Sequence, residues 1–212
     1  MVIIGILSKY MNKYNALSKC FGFFLCIFLL QAFPVSASGE IIRLAVAANF
    51  GNTIKELAMN FESNSDHHLR ISLGSTAALF NQIRLGAPFD VFLSADQLHP
   101  TLLADKNMAD FSSRFTYACG QLALLSNKTE FLKSNGITKL KTGDFRKLAI
   151  ANPLTAPYGK AAKQVLERMG VWESVQKKIV RGTSVAQVYH CVASGNVEIG
   201  FVSKSQVLKK FT

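Results

Sequence analysis

The chain has 212 residues, 49% of them apolar and 17% charged, with a formal net charge of +11. That size and composition suit one large core or two modest ones and exclude an intrinsically disordered chain. The basic charges are scattered rather than clustered, so an ordinary basic surface is favoured over nucleic-acid binding.

Residues 1–37 are expected to be a cleaved secretory signal and are set aside before fold reasoning. Lys9, Lys13 and Lys19 precede an apolar run from Cys20 to Leu30, Pro34 breaks the run, and Val35-Ser36-Ala37 supplies small residues for cleavage after Ala37. The run is shorter than the ~20 residues of a membrane span. Met11 is an equally acceptable start, a retained anchor is the alternative, and a lipoprotein is disfavoured because Cys26 lies inside the apolar run. Loss of the three lysines lowers the net charge from +11 to +8 and leaves Cys119 and Cys191. An exported chain permits a disulfide between them, with two buried thiols as the alternative.

The mature chain alternates between two periodicities. Strands are predicted at Ile41–Ala47, Leu69–Leu73, Asp90–Ser94, Phe115–Leu125, Lys147–Ala151, Lys178–Val180 and Glu198–Val202. Helices are predicted at Thr53–Ser63, from Thr76 to a stop at Gly86, and at Leu98–Lys106, Tyr158–Met169 and Ser184–Ala193. This alternation implies an α/β fold with mostly parallel sheets, and no internal repeat is visible in the sequence.

Four strand-to-helix junctions share one chemistry. They are Ala47-Ala48-Asn49-Phe50, Gly74-Ser75-Thr76-Ala77, Ala156-Pro157-Tyr158-Gly159 and Gly182-Thr183-Ser184-Val185. Helix starts carry unpaired N–H groups and the positive end of the dipole. Several aimed at one point make an anion site without any lysine or arginine. Taken singly, Ser75, Thr76, Thr183 and Ser184 are ordinary helix caps and Asn49 an ordinary turn residue. The functional reading rests on the four together.

Other candidates are weaker. Asp66-His67-His68 lacks a third metal ligand at helical spacing, and His99 and His190 are isolated. Asp90 and Asp96 flank a strand and suit fold-supporting hydrogen bonds better than acid–base work. Trp172 is expected to cover core. No catalytic triad, HExxH or phosphate-binding GxxxxGK motif occurs.

The segments AVAANF (45–50), GSTAALFNQI (74–83), GAPFDVFLSAD (86–96), YACGQLAL (117–124), LAIANPLTAPYGKA (148–161) and SGNVEIGFV (194–202) resemble, in order, the periplasmic molybdate-binding proteins of molybdate ABC transporters. The resemblance implies a two-lobe type II periplasmic-binding fold, with lobe 1 at residues 38–117, lobe 2 at 118–202 and the start of a return to lobe 1 at 203–212. It implies a monomer in the periplasm that binds molybdate or tungstate and delivers it to an inner-membrane permease. No catalysis, cofactor, direct metal-ion ligand or nucleic-acid partner is implied.

By position, the oxyanion ligands would be Asn49, Ser75 or Thr76 (Thr76 aligning better), and the backbone N–H groups of Tyr158 and Val185. Where some relatives carry a tyrosine after the last strand, this chain has Ser203. Further elements would follow that strand in the family, so a truncated gene product or a partial sequence is expected. The alternatives are a binder of another oxyanion such as sulfate, or a remnant without ligand binding. About six or seven neutral donors, at ~1.5–3 kcal/mol each to a charged acceptor, suffice for sub-micromolar binding after desolvation of a dianion.

Overall fold

The computed structural model describes residues 2–5, 39–128, 131 and 136–208. Among the described residues nine strands form two sheets, and each sheet with its helices makes one lobe.

In the first lobe, β2 (Ile41–Ala47) lies between β3 (His68–Gly74) and β4 (Val91–Ser94), parallel to both. Beyond β4 come β1 (Val2–Gly5), antiparallel to β4, and then β5 (Phe115–Thr116). The helices are α1 (Gly51–Ser63, entered through a 3₁₀ turn at Ala48–Phe50), α2 (Thr76–Arg84) and α3 (Leu98–Asp105). Alternation along β2 sends successive side chains to opposite faces. Ala45 joins Leu79, Phe80, Phe92 and Leu103 in one core, and Leu44 and Val46 join Ile54 and Leu93 in the other.

The second lobe repeats this plan. Here β7 (Leu148–Ala151) lies between β8 (Ile179–Gly182) and β9 (Ile199–Ser203), parallel to both, and β6 (Leu122–Ser126) runs antiparallel outside β9. Its helices are α4 (Gly136–Thr142), α5 (Pro157–Arg168), α6 (Trp172–Val175) and α7 (Val185–Ala193). Leu148 and Ile150 face Leu166, Val175 and Phe201, while Ala149 and Ala151 face Val188, Val192 and Val202. After β9 comes the short α8 (Lys204–Leu208). The two sheets thus share one strand order, although the sequence carries no repeat: the order is imposed by topology.

The expected strand Phe115–Leu125 is corrected. It is two strands in different sheets, β5 and β6, joined by residues 117–121, which cross between the lobes. Apolar alternation continues through the crossing because Tyr117 packs against the first core and Leu122 against the second. Val2–Gly5, assigned by sequence to a leader, stands beside β4 in the slot matching that of β6 beside β9. The rest of that leader and its cleavage point lie outside the described residues, as do residues 209–212 of the expected return segment. Among the described residues no helix is long and apolar enough to cross a membrane.

Candidate functional site

Because the lobes share a strand order, the junctions after their first two parallel strands correspond: β2 to α1 with β7 to α5, and β3 to α2 with β8 to α7. Such ends of parallel strands, where connections diverge to opposite faces, are where α/β sheets hold ligands. All four junctions meet around a single small cavity lined by Ala47–Asn49, Gly74–Thr76, Ala95, Ala156–Tyr158, Ser184 and Val185. Its volume is about 10 Å³, so its walls are close-set. No lining residue carries a charge.

Each junction leaves different donors. At the first, Asn49 is 5% exposed within the 3₁₀ turn, and no side chain caps either that turn or α1. At the second, Ser75 occupies the N-cap of α2 with extended backbone, yet its hydroxyl caps nothing. Thr76 is fully buried, and its Oγ1 accepts the backbone N–H of Ala95 at 3.1 Å.

At the third junction Ala156 is the N-cap of α5, Pro157 opens the helix and Tyr158 follows, again without a side-chain cap. The early N–H of Tyr158 has no intrahelical acceptor. Gly159 sits where a Cβ would lie 2.2 Å from the Ala151 carbonyl oxygen. Only glycine lets this helix start come so close to β7, which sets Tyr158 at the cavity.

The fourth junction is capped conventionally. Ser184 Oγ accepts the Gln187 N–H at 3.3 Å, and Gln187 Oε1 accepts from Thr183 N–H and Oγ1. Thr183 and Ser184 therefore behave as ordinary capping residues. Val185, 4% exposed, buries its side chain among Ala156, Val188 and Val202, leaving its backbone N–H as its polar contribution. The structure thus gathers Asn49, Ser75, Thr76, Tyr158 and Val185 at one cavity, with hydroxyl or N–H donors and no carboxylate among its walls.

Two features escaped sequence reading. Ala77 N–H donates across the cleft to the Thr155 carbonyl at 3.1 Å. Ser203 and Ser205 link Tyr158 to the backbone of Asn49. No local pattern announces either, since the partners lie far apart in the chain. A roomier cavity of about 270 Å³ adjoins the site, lined in part by Phe50, Cys119, Gly120 and Lys204. It brings together no second pair of helix starts, and we place the ligand chemistry in the smaller one.

The remaining candidates resolve structurally. Asp90 Oδ2 accepts the Arg43 N–H at 2.7 Å. Asp96 accepts from Ser94, from the His99 backbone N–H and from its ring. Burial pushes the Asp96 carboxyl upward, but the hydrogen bonds from His99 and Ser94 outweigh it and hold it below the usual carboxylate value. His67 Nδ1 accepts the Glu40 N–H, and no group of three metal-ligating side chains occurs among the described residues. His190 is exposed and packs edge-on to Tyr189. Trp172 packs against the second lobe's core. Cys119 and Cys191 are free thiols. The Tyr117 hydroxyl is buried without a hydrogen-bond partner among the described residues, and burial together with the nearby Tyr158 phenol keeps it firmly protonated.

A family model of bacterial extracellular solute-binding proteins matches residues 42–211. Over 174 residues the chain is 45% identical to the molybdate-binding protein ModA of Azotobacter vinelandii, covering 82% of this chain and 69% of that one. Identity to the ModA protein of Rhodobacter capsulatus is 42% over 175 residues, covering 82% and 68%. The solved structure of the Azotobacter vinelandii periplasmic molybdate-binding protein matches with a TM-score of 0.73 at 39% identity, over 76% of this chain and 71% of that chain.

Proposed function

The chain belongs to the bacterial extracellular solute-binding protein family, and from that premise we propose that it is the molybdate-binding component of an ABC importer. It is a transport component rather than an enzyme, built on the two-lobe type II periplasmic-binding fold. Lobe 1 comprises residues 38–117 and lobe 2 residues 118–202, and the dianion is held where the four junctions meet. The convergence of four helix starts on one uncharged cavity carries this reading.

Asn49 and Ser75 supply side-chain donors from lobe 1, and Tyr158 and Val185 supply backbone N–H groups from lobe 2. Thr76 is fully buried and its Oγ1 accepts the Ala95 N–H, which braces the second junction and leaves its hydroxyl proton available to the anion. Fixed dipoles aimed at a dianion in a buried cavity need no reorganisation and no counter-charge. The molybdate-binding relatives support a cage matched to molybdate or tungstate, whose metal–oxygen bonds are longer than the S–O bonds of sulfate. All four junctions come from one chain, which supports a monomer. Export with cleavage after Ala37, which removes β1 from the first sheet, delivers the protein to the periplasm, where the closed form presents its surface to the permease.

The test is the thermal midpoint with each anion at equal concentration. A ligand bound only by the folded state adds about 2.7 kcal/mol at a hundredfold excess over Kd. Molybdate and tungstate are expected to raise the midpoint, and sulfate and phosphate to leave it unchanged. An equal rise with sulfate would defeat size selection.

A further inference from the structure

Beside the anion cavity, three hydroxyls and one carbonyl form a continuous line. Ser205 Oγ donates to the Asn49 carbonyl at 3.2 Å, the Ser205 and Ser203 hydroxyl oxygens lie 2.7 Å apart, and Ser203 Oγ lies 3.2 Å from the Tyr158 hydroxyl. The Asn49 carbonyl can only accept. Ser203 Oγ donates to the Tyr158 hydroxyl oxygen, and at the 2.7 Å contact between the two serines either hydroxyl can donate. The contacts therefore run unbroken from Tyr158 through Ser203 and Ser205 to Asn49.

Its ends are the residues that hold the anion from opposite lobes. Its middle is anchored at both interlobe crossings. Ser203 is 1% exposed, and its N–H donates to Gln206 Oε1 at 3.1 Å. Next to it, Lys204 N–H donates to the Gln121 carbonyl at 2.9 Å, tying the exit from β9 to the earlier crossing. The phenol rests on that crossing too: a Cβ on Gly120 would lie 2.1 Å from the Tyr158 hydroxyl oxygen.

We propose that the Tyr158–Ser203–Ser205–Asn49 line is a hinge latch, which makes Ser203 and Ser205 positioning residues for oxyanion binding. Neither needs to touch the anion. They hold the Asn49 turn and the start of α5 at the spacing of the closed form. The observed affinity scales with the fraction of molecules in that form. This inference rests on the assignment of Asn49 and Tyr158 as anion contacts.

The test uses the full chain with Ser205→Ala, Tyr158→Phe and the double variant, in molybdate titrations and in small-angle scattering without ligand. Tyr158→Phe removes the phenolic hydroxyl while keeping the backbone N–H. Each single variant is expected to weaken molybdate binding about three- to thirtyfold and to enlarge the ligand-free radius of gyration. The double variant should be no weaker than the worse single, because one line is cut twice. Ser205→Thr, which keeps the hydroxyl, should restore affinity. Wild-type affinity in either single variant, or losses that multiply in the double, would overturn the latch. If the unaltered protein binds no molybdate, the anion-site reading fails by itself. The latch is then decided by the ligand-free scattering, and an unchanged radius in both single variants overturns it.

Discussion

The backbone N–H of Ala77, in the first turn of α2, donates to the Thr155 carbonyl at 3.1 Å across the mouth of the cavity. One lobe thereby pairs an otherwise orphaned helix-start donor with a carbonyl of the other, a bond that exists only when the lobes meet. Hydrogen exchange reads this directly. Molybdate is expected to slow exchange at Ala77 markedly while leaving the β7 core amides, such as Ile150, unchanged. Equal protection of Ala77 with and without ligand would mean that the contact does not report closure.

The adjacent hydroxyls at the second junction should separate cleanly. Ser75 caps nothing and faces the cavity, so Ser75→Ala should weaken molybdate binding roughly ten- to a hundredfold with little change in stability. Thr76→Ala leaves the Ala95 N–H without its acceptor, so it should cost about 1–3 kcal/mol of stability and less affinity. Calorimetric titration with urea melts on the same two variants checks this. The reverse pattern would return the ligand contact to Thr76.

Sequence patterning located β2 to the residue and most other elements within a few positions, because each lobe buries alternating faces of short parallel strands. It failed at the crossing between lobes, where Tyr117 and Leu122 continue an apolar rhythm in different cores. It also missed α4, which buries only Leu140 and so offers too little periodicity to read. The five candidate contacts were legible, since helix starts are local signals. The contact of Thr76 with Ala95, nineteen residues onward, was not legible. The Ser205–Asn49 contact spans 156 positions, and no local pattern encodes it.

Asp96 makes a prediction with a definite sign. Its carboxyl is held below the ordinary value in the fold, so the stability it contributes is fully present above the unfolded value of about 3.9 and is lost as pH falls through the folded one. Asp96→Asn should therefore be less stable than the parent at pH 7, with the gap narrowing below about pH 4. Denaturant melts from pH 7 to pH 3 measure it. A gap that stays constant over that range would show that the ionised carboxylate is not what supports the start of α3.

In the proposed site backbone N–H groups at converging helix starts hold the anion, and the Val185 N–H can be deleted by a single substitution. Proline at this first helical position deletes the N–H and is otherwise tolerated, and the extended backbone of Ser184 suits a residue before proline. The measurement is calorimetric titration of molybdate into the unaltered protein, Val185→Pro and Val185→Ala, each verified as folded. A loss of roughly ten- to a hundredfold is expected in Val185→Pro and affinity close to the parent in Val185→Ala. Parental affinity in Val185→Pro would contradict it.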